Sequence, residues 1–386
     1  MRKFLLLCFS VLGTGALAFF TFAPRYIDQS KNLTGTYPEA FLRQTWYDSI
    51  PFIADLHCDL LLWDRDFFKH HSYGHVDLPR MQQGSMAFQA FTVVSKVPAG
   101  INIERNPSTS DQIGLLSFAQ LRSPATWFSS KARALDQCSQ LHEYADRSEG
   151  MFRVITSQQE LQTFIKDRKS NQKLTAGMLG LEGAHCLEND LSNLQVFYNA
   201  GVRYIGLTHF FDNEWAGSAH GEKKEGLTGL GKQLIRKMDS SNMIIDLAHA
   251  SMKTIDDVLA LTKRPIIVSH TGVKGVCNNQ RNLSDQHLIA IGKRNGLVGI
   301  GLWETAVCGT DVSATARSIR YAADLIGVDK VALGSDFDGA IGTHVDAAGL
   351  PLVAMALEQE GFDRAEIELI MGGNIRDFLL RNLPAN

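Results

Sequence analysis

The chain has 386 residues, 45% hydrophobic and 20% charged, with a formal net charge of −3. This is ordinary globular composition with ample length for a large core, and the slight acidity gives no electrostatic basis for a nucleic-acid partner. None of the six cysteines (Cys8, Cys58, Cys138, Cys186, Cys277, Cys308) forms a Cys-x-x-Cys pair, which argues against a thiolate zinc cluster or a redox motif.

Met1-Arg2-Lys3 is followed by an apolar run from Phe4 to Ala23. Such a segment suits either a signal peptide or a single membrane helix. Ala16-Leu17-Ala18 fits the small-x-small cleavage pattern, whereas Phe19, Phe20 and Phe22 carry the apolar run beyond it. Arg2 and Lys3 stay on the cytoplasmic side, so the rest is expected to be exported to the periplasmic or extracellular side, anchored there if the segment is uncleaved. Export makes a disulfide available, and the sequence does not select its partners. Residues 24–50 are expected to be a polar, irregular connector, and residues 51–386 one large folded domain.

Eight β-like runs follow: Phe52–Asp59, Met86–Val94, Leu174–Glu182, Val202–His209, Met243–His249, Pro265–His270, Gly296–Trp303 and Val331–Asp336. Several are apolar on both faces, as in a parallel sheet covered by helices. Helical stretches alternate with them: Leu191–Ala200 before Gly201, Thr254–Leu261, Asp285–Asn295 behind a Ser284 cap, and Ala314–Ile326 before Gly327. Asp363 can cap a last helix through Leu380, with a turn expected at Gly372-Gly373. The alternation predicts an α/β fold, a (β/α)8 TIM-type barrel, with a doubly wound open sheet as the second choice. Residues 95–172, between the second and third strands, are too long for a plain crossover. They are expected to be an insertion over the barrel mouth, with a loop from Pro98 to Pro107 and helix over Ile113–Tyr144, broken near Pro124.

In such barrels the active site lies at the C-terminal ends of the strands. The first run ends in His57-Cys58-Asp59, with His57 and Asp59 expected on one face and Cys58 on the other. Later runs end in Glu182, His209, Asp246 to His249, Ser269-His270, and Asp336 with Asp338. Any one of these is ordinarily just a hydrogen-bonded polar residue. Four histidines and three or four carboxylates around one rim exceed what a satisfied core needs, and they match what two divalent metals need.

On these residues the chain resembles the membrane dipeptidase (renal dipeptidase) family of zinc peptidases. The matching stretches are Asp55-Leu-His-Cys-Asp-Leu60, Gly180-Leu-Glu-Gly183, Gly206-Leu-Thr-His209, Asp246-Leu-Ala-His249, Ser269-His270 through Arg281-Asn282, Gly334-Ser-Asp-Phe-Asp-Gly339 and Gly372-Gly-Asn-Ile-Arg376. The resemblance implies a dinuclear zinc dipeptidase. His57 and Asp59 would bind one Zn2+, His249 and His270 the other, and Glu182 with a water or hydroxide would bridge them. Asp336 would shuttle the proton, His209 would polarise the scissile carbonyl, and Arg281 would pair with the dipeptide's free carboxylate. A D-residue on the C-terminal side is an expected substrate feature. Asp212 stands where asparagine is expected, and Leu302-Trp303-Glu304 is not followed by the expected tyrosine-containing stretch, which puts side-chain preference in doubt.

Other residues weigh less. His70, His71 and His75 are expected in a solvated loop rather than a metal tract. His185, Trp215 and His220 are candidates for substrate contact, and Asp338 for a hydrogen bond or a turn cap. A different metal-dependent barrel hydrolase, acting on a lactone, phosphoester or N-acyl group, is the alternative function, and an inactive surface binding protein the third. A homodimer is left open.

Overall fold

The computed structural model describes residues 18–37 and 46–386. Eight parallel strands form the framework: β1 (Ile53–Cys58), β2 (Met86–Val93), β3 (Thr175–Leu181), β4 (Val202–Gly206), β5 (Ile244–Asp246), β6 (Ile267–Thr271), β7 (Leu297–Ile300) and β8 (Val331–Leu333). Each pairs in parallel with the next in chain order. All eight expected runs are therefore strands, and their order is that of a barrel rather than of a doubly wound sheet.

Closure from β8 back to β1 rests on polar contacts. Asp59 N donates to Phe337 O at 2.8 Å. The Asp55 carboxylate, fully buried, accepts from Ser335 N at 2.7 Å, Ser335 Oγ at 2.8 Å, Gln89 Nε2 at 2.7 Å and His57 N at 3.1 Å. One side chain thus ties β1 to β2 and to the segment after β8. Burial holds its pKa above the usual carboxylate value, against the pull of these donors.

The barrel interior is packed with side chains from alternate strand positions, among them Leu56, Phe88, Met178, Tyr204 and Ile244. Tyr204 on β4 crosses it, with its hydroxyl donating to Leu56 O on β1 at 3.3 Å. Gly180 on β3 makes room, since a Cβ there would lie 1.9 Å from Tyr204 Cζ. A second cluster, including Ile53, Phe91, Leu179, Ile205, Ile245, Val298 and Leu333, packs against the outer helices.

The helices start on side-chain caps: Ser251 accepts from Thr254 N, Ser284 from His287 N, and Asp311 from Ala314 N. Asp363 caps Arg364–Glu368 in a capping box. A π-turn over Leu369–Gly373 then leads into helix Asn374–Asn382, so Gly372-Gly373 does interrupt the last helix. A Cβ on Gly372 would lie 2.1 Å from Phe52 O, and this close approach holds the turn to the start of β1.

The insertion contains helices Gln112–Ala119, Pro124–Phe128, Ser130–Arg147 and Gln158–Arg168. It also holds a strand the sequence did not suggest, Phe152–Val154, which pairs in parallel with β3. Residues 24–50 are not irregular throughout as expected. Residues 18–31 are helical, and Leu33–Thr34 pairs in parallel with Gly342–Thr343. Most of the apolar run Phe4–Ala23 lies outside the described residues. Among the described residues no helix is long and apolar enough to cross a membrane.

Asp55→Ala leaves Ser335 N and Gln89 without their buried acceptor. It is expected to lower unfolding stability by about 3 kcal/mol, measured as the midpoint of denaturant unfolding. A change within error would mean that closure does not depend on this carboxylate.

Candidate functional site

The strand ends deliver the expected residues to one place. His57 Nε2 lies 3.4 Å from Asp59 Oδ1, 3.4 Å from Glu182 Oε1 and 3.9 Å from Asp336 Oδ1. His249 Nε2 and His270 Nε2 lie 3.2 Å and 3.5 Å from the same Glu182 oxygen, and 2.9 Å from each other. His209 Nε2 approaches Glu182 Oε2 at 3.3 Å. Among the described residues, three groups have ligand atoms within 4.8 Å of one another: His57–Glu182–His270, Glu182–His209–His249 and His57–Asp59–Asp336. Glu182 is shared by two of them and His57 by two.

The backbone takes unusual conformations to reach this point. His249 and Asp336, directly after β5 and β8, adopt φ of +59° and +60°. Such values are uncommon outside glycine and recur at functional sites, where surrounding packing enforces them. Cys58 points the other way, with Sγ 3.9 Å from Asp338 Oδ2, as the alternation along β1 predicts.

The electrostatics of the cluster ask for a cation. Burial disfavours the His57 imidazolium, yet Glu182 and Asp59 outweigh it and hold its pKa well above the usual value. Burial, reinforced by Asp59, pushes Glu182 up to about 7. Burial also raises Asp336 well above the ordinary carboxylate value. His209, His249 and His270 go the other way: burial first, then neighbouring cationic groups, keeps them neutral with free lone pairs. His57 Nε2, Asp59 Oδ1 and Glu182 Oε2 are buried and have no hydrogen-bond partner. Orphaned nitrogen and oxygen donors, converging without a thiolate, fit zinc or another divalent metal.

One part of the site went unassigned in the sequence. Ser269 Oγ donates to Asp246 Oδ2 at 2.6 Å and lies 3.1 Å from His57 Nδ1 and 3.0 Å from His270 Nδ1. Asp246 Oδ1 also accepts from Ser269 N at 2.8 Å and Ala248 N at 3.0 Å. Ser269 therefore meets the far nitrogens of two candidate ligands and fixes their ring orientation. Both residues sit inside stretches the sequence had singled out, and only the fold brings them against the two rings.

Arg281 is buried, and Nη2 donates to His270 O at 2.7 Å. Burial lowers its pKa to about 10, so it remains a cation. A disulfide joins Cys277 to Cys308 and straps the Arg281 loop to the segment after β7. The Trp303 ring lies 5.8 Å from that of His270, tilted by 45°, near where tyrosine was expected. Asp212 accepts from Ser218 N at 2.8 Å and Lys223 N at 2.6 Å, and so shapes its own loop.

The first loop of the insertion lies over the rim. Ile103 O accepts from His220 Nδ1 at 2.8 Å and from Gln280 Nε2, while Glu104 O accepts from Lys224 Nζ at 2.8 Å. His220 stands 5.1 Å from His249, ring to ring. Trp215, in contrast, is wholly buried in the outer core and does not line the cleft. His185 is held by Ser95 Oγ at 2.9 Å and packs 5.1 Å from Phe211.

His75 is not in a solvated loop. It is buried, accepts from Asp338 N at 2.7 Å, and its own amide donates to Asp338 Oδ1 at 2.8 Å. Asp338 also pairs with Arg65 Nη2 at 2.5 Å, which makes it a structural anchor for the loop that carries Asp336. None of His70, His71 and His75 belongs to the ligand groups found among the described residues.

Comparison with known proteins agrees with this geometry. The family described as membrane dipeptidase (peptidase family M19) matches residues 48–379. Dipeptidase aclJ of Aspergillus oryzae is 27% identical, covering 96% of this chain and 87% of its own. The crystal structure of a metallopeptidase termed dipeptidase AC superposes with a TM-score of 0.69 at 25% identity, over 87% of this chain and 99% of that one. A metallopeptidase from Rhodobacter sphaeroides, liganded with a phosphinate mimic of L-Ala-D-Ala, has the same fold. Its TM-score is 0.71 at 24% identity, over 86% of this chain and 99% of that one.

Ser269→Ala removes the group that orients His57 and His270. It is expected to weaken metal affinity about 10- to 100-fold without unfolding the barrel, read by competition against a chromophoric chelator. Unchanged affinity would assign Ser269 to packing alone.

Proposed function

The chain belongs to the membrane dipeptidase family of metallopeptidases, and on that premise we propose that it cleaves the peptide bond of dipeptides at this rim with two zinc ions as cofactors. The observation that carries this reading is the convergence of His57, His249 and His270 Nε2 on Glu182 at 3.4, 3.2 and 3.5 Å. His57 and Asp59 would hold one zinc, His249 and His270 the second, and Glu182 would span both. Bound zinc would supply Lewis acidity and lower the pKa of a shared water, so that hydroxide is available near neutral pH.

The chain's own residues account for the remaining steps. Arg281 spends one nitrogen on His270 O, and the rest of its planar fork suits the free carboxylate of a dipeptide. Reading that carboxylate excludes longer peptides, because their chain continues where the carboxylate must sit. His209 stands on the Oε2 side of Glu182, apart from the three imidazoles on Oε1. The family resemblance gives it the scissile carbonyl, where it would hold the developing negative charge. Asp336 takes the proton of the attacking water and hands it to the leaving amine. Its raised pKa suits a carboxylate that must carry a proton between two partners. The loop around Ile103 and Glu104 keeps bulk water away from this exchange.

A dipeptide with a D-residue at its C-terminal side is a substrate in this reading. The mimic bound by the Rhodobacter sphaeroides relative has that chirality. The carboxylate that Arg281 would pair with is common to L- and D-residues, so chirality falls to the side-chain pocket. The chain acts after export, anchored by its N-terminal segment if that segment is retained. The basic start and the apolar run support export, and the Cys277–Cys308 disulfide suits an oxidising compartment.

The test pairs a metal count with activity. About two zinc per chain, and cleavage of an L-Xaa–D-Ala dipeptide lost on chelation and restored by zinc, are expected. Two metals with no dipeptide cleaved would point to the broader hydrolase class, and no metal in a folded protein would overturn the site. Arg281→Ala is expected to raise KM for dipeptides about 10- to 100-fold and to leave C-terminally amidated analogues unaffected. Asp336→Asn is expected to lower kcat about 100- to 10,000-fold with zinc content retained.

A further inference from the structure

Two separate parts of the chain build one exposed apolar surface beside the site. Helix 18–31 turns Phe19 and Phe22 to solvent, and Phe22 is 66% exposed. Helix Gln112–Ala119 buries Ile113 and Leu116 against Leu62, Trp63 and Val94. It leaves Leu115 71% exposed, with Leu121 just past its end 64% exposed and Phe128 89% exposed. A relay of ring contacts joins the two parts: Phe19 to Phe20 at 5.2 Å, Phe20 to Phe118 at 5.3 Å, Phe118 to Trp127 at 5.0 Å, and Trp127 to Phe128 at 6.4 Å.

Scattered exposed apolar residues need no explanation, but a contiguous aromatic surface marks a docking face. We infer that this surface rests on a lipid bilayer, with Phe128, Leu121, Leu115 and Phe22 in its interfacial layer. The chain that leads into the surface names this occupant. Residues 1–17 run straight into the helix that carries Phe19 and Phe22, and their only charges are Arg2 and Lys3. An uncharged run behind a basic start has the composition of a membrane-inserting segment. A face continuous with it is held at the lipid surface whether or not it binds lipid strongly by itself. Phe and Leu are side chains that a surface-bound element buries at the boundary between headgroups and acyl chains.

The placement has a consequence for the enzyme. Leu62 and Trp63, on which the insertion helix packs, follow His57 and Asp59 by a few residues, and Gln120 Nε2 donates to Leu62 O at 3.0 Å. The lipid-facing surface therefore lies at the catalytic end of the barrel. The cleft opens beside the bilayer rather than away from it.

The test uses the full chain in phosphatidylcholine–phosphatidylglycerol vesicles that contain a dibrominated phosphatidylcholine. Trp127 is the reporter, isolated by the difference between the chain and its Trp127→Phe variant: Trp63, Trp215 and Trp303 are buried, and the half-buried Trp46 emits alike in both. Bromolipid is expected to quench most of the Trp127 emission. The triple variant Leu115→Ser, Leu121→Ser, Phe128→Ser is expected to lose that quenching, to stay with the vesicles through residues 1–17, and to keep an unchanged kcat/KM. The proposal is overturned if Trp127 is unquenched in the parent chain. A dimer by light scattering in detergent would then assign the face to a second copy, and a monomer to cover by residues 1–17. Quenching that survives in the triple variant overturns it equally. Neither the quenching nor the vesicle retention requires the chain to be a dipeptidase, so failure of the catalytic reading would be seen separately.

Discussion

The barrel closes on a carboxylate. Neighbouring parallel strands share backbone ladders from β1 to β8, but the join between the last and the first is carried by one backbone bond, Asp59 N to Phe337 O, and by Asp55, which takes hydrogen bonds from β1, β2 and the segment after β8. Burying that charge is tolerable because four donors meet it. The same join positions chemistry: His57 lies two residues beyond Asp55 on one side, and Asp336 follows Ser335 on the other. Closing the sheet and bringing two candidate site residues within 3.9 Å of each other are one event.

The rim shows what that arrangement costs and what offsets it. Carboxylates and imidazoles are packed there out of water, with several donor atoms unpaired. The strain appears as opposed pKa shifts: Glu182 and Asp336 are driven toward their neutral forms, and three histidines are kept from protonation. A cation relieves both at once, since it stabilises the carboxylates and uses the imidazole lone pairs. Ser269 and Asp246 keep the rings aimed at that position. Asp338, Arg65 and His75 hold the loop behind Asp336.

Elements outside the barrel decide access. The insertion serves two surfaces at once. Its first loop bonds to the loops after β4 and β6 over the cleft, and its short helices carry the outward aromatic face. The disulfide between Cys277 and Cys308 fixes the Arg281 loop relative to the segment after β7. That loop carries Arg281, which the proposed function pairs with the substrate carboxylate, so in that reading its placement bears on substrate selection.

Much of this was legible in the amino-acid sequence. Eight apolar runs, six of them ending in polar residues, specify both the strands and the rim, because strand periodicity and the C-terminal location of barrel sites are local rules. His57, Asp59, Glu182, His209, His249, His270 and Asp336 could all be picked out in this way, whereas Arg281 was singled out only through the family resemblance. The rest depended on which residues meet across long sequence separations. Asp55 closing on Ser335, Ser269 serving two imidazoles, and Cys277 choosing Cys308 are pairings that no local pattern encodes. His75 looked like part of a solvated histidine tract, and Trp215 like a cleft residue, until packing buried the first against Asp338 and the second in the outer core. The sequence by itself determined the strands, the chemistry available at their ends and the apolar start of the chain. Only the tertiary structure decided burial and pairing, because these are properties of contacts between distant segments and exist only once the barrel has closed.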